Sequence, residues 1–117
     1  MRDAPFRVGR LQGTLDALIL RTLPAGPAHG HAIPKHIRTT SEEPLQVETG
    51  SLYPALHRLE AKGWIAPSWE LSTKGKCARF YRLTPLGRKQ LTAEQSKWDT
   101  FSRAMALILN PVDQEAQ

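Results

Sequence analysis

Between Gly63 and Thr84 the chain changes its period, and this change limits the available folds more than any other feature. Before it, apolar residues recur every three or four positions, as in helices that bury one stripe. Within it, Trp64–Leu71 and Cys77–Leu83 are rich in aromatic and branched residues. Ser72-Thr73-Lys74-Gly75-Lys76 separates them, which predicts a β-hairpin with a basic tip. After it, Thr84 is a good N-cap and Pro85 suits a first helical position, so a long helix should run to about Leu109 and end at Asn110-Pro111.

Three short helices are expected ahead of the hairpin. Leu11, Leu15, Leu18, Ile19 and Leu23 mark the first, from about Leu11 or Thr14 to Leu23, closed by Pro24. Ile33 and Ile37 mark a second, from about His29 to Thr39. Pro34 conflicts with that span, because an interior proline removes a backbone hydrogen bond and clashes one turn back. Leu52, Ala55, Leu56 and Leu59 mark a third, from about Thr49 or Ser51 to Lys62. Gly63 stands where a left-handed C-terminal cap favours glycine. Pro54 is compatible with that helix only near its first turn.

The expected fold is therefore mainly α with a small β-hairpin: a winged helix-turn-helix followed by a long C-terminal helix. Its divisions are a flexible arm over 1–10, a winged-helix DNA-binding domain over 11–83, a dimerisation helix over 84–110 and a frayed tail over 111–117. A chain of 117 residues suits one such domain.

Charge points to a polyanion. Sixteen Lys and Arg against eleven Asp and Glu leave a formal charge of +5, a common property of small domains that meet nucleic acid. The excess is concentrated: Lys74, Lys76, Arg79, Arg82, Arg88 and Lys89 lie between Leu71 and Gln90 with no acid among them. In a winged helix the third helix enters the major groove and the wing follows the flanking backbone. At about 100° per residue, Leu52, Leu56 and Leu59 share one side of the third helix, leaving Pro54 and His57 roughly opposite, flanked by Ser51, Tyr53 and Arg58. Ser51, Tyr53, Pro54, His57 and Arg58 are thus the expected base-contacting set, and Lys74, Lys76 and Arg79 the expected phosphate contacts, with Arg82 nearby. Glu60, which phosphate would repel, should point away from DNA.

On the last helix, Leu91, Trp98 and Met105 recur every seven residues, and Phe101 and Ile108 repeat that spacing with an offset of three. This is the pattern of a seam for a partner helix, with packing inside the domain as its alternative.

Other chemistries find little support. His29, His31, His36 and His57 lack a carboxylate or cysteine at convincing ligand spacing, so no metal is expected. Cys77 stands alone, which excludes an intrachain disulfide; beside Lys76 and Arg79 a redox role is conceivable, but a small strand residue is the plainer reading. No phosphate-binding glycine loop, nucleophile elbow or zinc-protease motif is present, so neither an enzyme nor a cofactor is expected. The opening MRDAPFRVGR lacks the apolar core of a secretory signal and no apolar run could span a bilayer, so the expectation is a cytoplasmic, nucleoid-associated protein with no membrane partner. The competing function is a winged-helix interaction module that binds protein or RNA without operator specificity, although the third helix shows no stacking platform for single strands.

The segments LQGTLDALILRTL, GPAHGHAI, GSLYPALHRLEAKGWI and RFYRLTPLGRKQL, over about residues 11 to 109, together resemble the PadR family of bacterial transcriptional regulators, in particular its small members with one C-terminal helix. The resemblance implies a homodimer that binds a palindromic operator in double-stranded DNA, mostly as a repressor, with the last helix packed across the dimer. It makes Tyr53 the leading DNA contact, since the family's recognition helix carries the Ser-Leu-Tyr-Pro segment. It also implies a flat aromatic effector for some members, which places Trp98 as a candidate effector residue. His31, where tyrosine is common, Pro34 and Cys77 depart from the family pattern.

Overall fold

The computed structural model describes residues 6–8, 13–71 and 77–110. In chain order the elements are β1 (Phe6–Arg7), α1 (Thr14–Thr22), a 3₁₀ turn (Leu23–Ala25), β2 (Ala28–His29), α2 (Ala32–Thr40), β3 (Leu45–Gln46), α3 (Thr49–Ala61), β4 (Ile65–Leu71), β5 (Cys77–Leu83) and α4 (Pro85–Leu109). This is the mainly helical fold with a small antiparallel sheet that the pattern predicts.

The apolar stripes meet in one core. Leu15, Ile19 and Leu20 of α1, Ile33 and Ile37 of α2, and Leu52, Ala55, Leu56 and Leu59 of α3 are buried against Ile65, Tyr81 and Leu83 of the hairpin. Each fully buried aliphatic side chain contributes about 1.5–3 kcal/mol relative to exposure, so this convergence holds α3 against the body with one fixed face inward.

Two proline positions follow from where the helices start. α2 begins at Ala32 and not at His29. Pro34 is therefore its third residue, where the missing N–H has no helical acceptor to lose. Pro54 departs from expectation in the other direction. α3 starts at Thr49, so Pro54 is the sixth residue, and the Gly50 carbonyl lacks its usual helical donor. The proline ring is exposed, and four buried residues hold the helix despite the lost bond.

The expected two-stranded hairpin is three-stranded, in the order β2-β5-β4. Residues 28–29, expected to border or enter a helix, instead pair with Tyr81 and Phe80. The hairpin keeps a continuous register from Ile65 opposite Leu83 to Leu71 opposite Cys77. Its expected basic tip, with Lys74 and Lys76, lies outside the described residues. The expected free arm is also corrected where it is described: Phe6 and Arg7 pair in parallel with Leu45 and Gln46, and Val8 is fully buried. An apolar side chain seated in the core ties that stretch down. The rest of the arm and the tail from residue 111 lie outside the described residues.

Three elements share one junction. Gly63, at φ +77°, ends α3: its N–H reaches the Glu60 carbonyl and the Trp64 N–H reaches that of Leu59, both at 3.0 Å. The Thr84 hydroxyl accepts from the Gly87 N–H at 3.0 Å and lies within donor range of the Gly63 and Trp64 carbonyls, at 2.6 and 3.1 Å. A Cβ on Gly87 would run into the Trp64 carbonyl oxygen, so glycine alone permits this approach.

Candidate nucleic-acid interface

Burying Leu52, Leu56 and Leu59 turns the opposite side of α3 outward. Pro54, His57 and Arg58 are exposed there, and Ser51 and Tyr53 are half-buried. The body positions Tyr53: its ring packs on the core, and a Cβ on Gly30 would stand 3.5 Å from both its Cε1 and hydroxyl. The His31 ring meets it edge-on, with centroids 6.4 Å apart. His31 stacks in turn on His29 at 5.0 Å, and its backbone N–H donates to His29 Nδ1 at 3.0 Å. That bond makes Nδ1 the acceptor and leaves the proton of the neutral ring on Nε2. Sequence reasoning expected no metal at these histidines and noted His31 only as a departure from the family pattern. Their actual link runs from β2 through the start of α2 to α3, and the pairing of β2 with β5 creates it.

Two arginines are not free as their positions suggested. Arg58 reaches back to α1, where its guanidinium lies 2.7 Å from the Asp16 carboxylate. Arg79, expected on phosphate, directs Nη2 at both Glu60 oxygens, at 3.0 and 3.1 Å. Its guanidinium also lies 5.6 Å from the Tyr81 ring centre. Both arginines thus fasten α3, one to α1 and the other to β5. This arrangement also gives Glu60 a partner on the hairpin. Burial pushes the Tyr81 hydroxyl above the usual phenol range; the nearby Arg79 charge opposes the rise, and Glu60 and Tyr53 add to it.

The proposed seam on α4 divides in two. Leu91 is 8% exposed and belongs to the core of its own domain, which corrects its assignment to the dimer seam. Of its heptad partners, Trp98 still lines the space beside α1, and Met105 lies beyond it. Trp98 is half-buried and edge-on to Phe101 at 5.6 Å. Phe101, Met105 and Ile108 are exposed, as are Leu107 and Leu109, which the seam pattern missed. The unbroken apolar run from Met105 to Leu109 was the available signal.

A groove of about 340 Å³ lies between α1 and α4, with Leu18, Arg21, Leu91, Glu94 and Trp98 among its walls. Trp98 Nε1 is buried there without a hydrogen-bond partner among the described residues. Among those residues, no three His, Cys, Asp or Glu side chains gather as metal ligands, and no helix is long and apolar enough to cross a membrane.

Comparison with known proteins agrees with this geometry. A model described as the transcriptional regulator PadR-like family matches residues 19–93. A transcriptional regulator of Mycobacterium tuberculosis is 41% identical over 58 residues, which cover 50% of this chain and 53% of that one. The crystal structure of a PadR family transcription regulator from Clostridium difficile superposes with a TM-score of 0.73 at 29% identity, covering 84% of this chain and all of the other. A transcriptional regulator from Clostridium thermocellum gives 0.72 at 29% identity, over 81% of this chain and 89% of that one.

Proposed function

The chain belongs to the PadR-like family of transcriptional regulators, whose members bind DNA and typically act as dimers, and from that premise we propose a homodimeric repressor of a palindromic operator. The observation that carries this reading is the outward face of α3. It is narrow at Gly50, Ser51 and Pro54, and carries hydrogen-bonding groups at Ser51, Tyr53 and His57. Small residues let a helix sit deep in a major groove, and those polar groups suit base edges. Ser51, Tyr53, Pro54 and His57 form the reading set, with Arg58 at its border, held by Asp16. The wing follows the flanking phosphates through Lys74 and Lys76, whereas Arg79 braces the hairpin against α3.

The exposed apolar end of α4 supports pairing through Trp98, Phe101, Met105 and Ile108. A large contiguous apolar surface on a small domain is expensive to leave in water. The groove beside Trp98 suits a flat aromatic effector, which would stack on the indole and could accept a hydrogen bond from Nε1. An effector that binds one arrangement of the two α4 helices more tightly shifts the dimer toward it. Recognition helices then spaced wrongly for two half-sites release the DNA.

The test is selection of the purified protein against a random duplex library at near-physiological salt. The expected product is an inverted repeat with half-site centres about one helical turn apart. Salt-sensitive binding without a consensus would replace operator reading by phosphate contact alone, and favour the interaction-module alternative.

A further inference from the structure

Four rings run in a file from the sheet to α3. Tyr81 of β5 fills the core, so Phe80 beside it belongs to the other face of the sheet, because successive side chains of a strand alternate. His29 is the register partner of Phe80 on β2 and stands edge-on to it, with centroids 5.5 Å apart and planes at 82°. His31 stacks on His29 at 5.0 Å and 23°, and meets the Tyr53 ring at 6.4 Å and 79°. Offset-stacked and edge-on pairs at such distances are the favoured ones. The bond from the His31 N–H to His29 Nδ1 holds the corner between the two imidazoles. Gly30, buried between them, lies against Tyr53, where even a Cβ would stand at ordinary contact distance. The Tyr53 hydroxyl itself makes no hydrogen bond among the described residues.

We propose that His31 is a positioning residue for base reading: it acts through Tyr53 and not on the duplex, and with His29 behind it sets where the Tyr53 hydroxyl stands. The inference rests on the reading of bases by Tyr53 proposed above and names what makes that reading selective. A hydrogen bond weakens steeply as its geometry departs from ideal, so a hydroxyl separates one base edge from another only while its own place is defined. A tyrosine on a helix surface has more than one staggered position for its ring. Contact with Gly30 and His31 selects one of them before DNA arrives, which removes the ordering cost from the binding step. A wrong base then leaves the held hydroxyl unpaired. A ring released from His31 would follow whichever base faced it, so preference would fall while general affinity survived. The anchor of the file is the pairing of β2 with β5, which gives the third strand a part in recognition although it lies outside the reading helix.

The measurement is a double-mutant cycle on two duplexes of equal length: the inverted repeat recovered by the selection above, and a scrambled version of it. Preference is the ratio of the two affinities. His31→Ala should lower preference about three- to tenfold, the worth of one aromatic contact, with binding to the scrambled duplex nearly unchanged. His31→Phe, which keeps a ring at that place without its nitrogens, should retain the preference. In a Tyr53→Ala background, His31→Ala should lower preference no further, as for two residues that act as a unit. A general loss of fold would lower both affinities together, and a direct contact of His31 with DNA would persist without Tyr53. Unaltered preference in His31→Ala, an equal loss in His31→Phe, or a further loss in the Tyr53→Ala background each overturns the positioning role and leaves Tyr53 as a reader. Unaltered preference in Tyr53→Ala, or no inverted repeat from the selection, overturns the premise as well.

Discussion

The two halves of α4 obey different rules although they form one continuous helix. The first half is fastened to the domain: Thr84 caps it, Gly87 lies against the Trp64 carbonyl, and Leu91 fills the core. The second half leaves the domain and carries Phe101, Met105, Leu107, Ile108 and Leu109 into solvent, each at least 40% exposed. An amphipathic stripe thus says that a surface will be covered, but not what covers it. The same heptad spacing serves the protomer's own core at Leu91 and, in the proposed dimer, a second copy beyond Trp98.

The strongest way to break this division is at its root. Gly87→Ala forces a Cβ into backbone that cannot yield cheaply, and should cost about 3 kcal/mol, read as a lower thermal midpoint of the whole domain. A midpoint within a degree of wild type would show that α4 is not docked as described. Next come the exposed positions. Phe101→Glu with Ile108→Glu should weaken self-association about 100-fold or more, close to 2.7 kcal/mol, in sedimentation at graded concentration. The isolated domain's circular dichroism should change little, and a dimer that survives the double charge must pair elsewhere. Leu91→Ala sharpens the comparison from the other side, because it should lower domain stability by about 2 kcal/mol while leaving dimer affinity nearly intact. The opposite pattern would return Leu91 to the seam.

The smallest effect belongs to Tyr81. Its folded-state pKa is raised, so folding favours the neutral phenol. Unfolded tyrosine ionises near about 10. Above that pH the unfolded chain binds fewer protons than the folded one, and stability falls as pH rises toward the folded value. Tyr81→Phe should flatten that alkaline decline while leaving neutral-pH binding to DNA in place. An identical decline in both proteins would assign it to other groups.

What the sequence made legible was local. The Gly63 cap, the Thr84–Pro85 start and the buried stripe of α3 depend on neighbours within a few residues, and each lies where that chemistry predicts. Partnerships across the fold were not legible. Asp16 meets Arg58 across 42 positions, and Glu60 meets Arg79 across 19. Two residues, Ala28 and His29, become a strand only because β5 offers them an edge. Val8 belonged to a stretch with no period to reveal its burial. The groove between α1 and α4 was hidden for the same reason: one wall follows from each helix, but their separation follows only from the packed whole.

The Thr84 hydroxyl has one further consequence. Since a single oxygen joins the close of α3, the entry to β4 and the first turn of α4, these parts have little freedom to pivot independently. The 25 residues of α4 make a rod of about 37 Å. A tilt of about 5° at its root carries the far tip about 3 Å for a rod of that length. In the proposed dimer the same geometry runs backwards, and a few ångströms of slippage between two such tips would turn each proposed reading helix: a gear ratio set by the length of the helix, with a threonine as the axle pin.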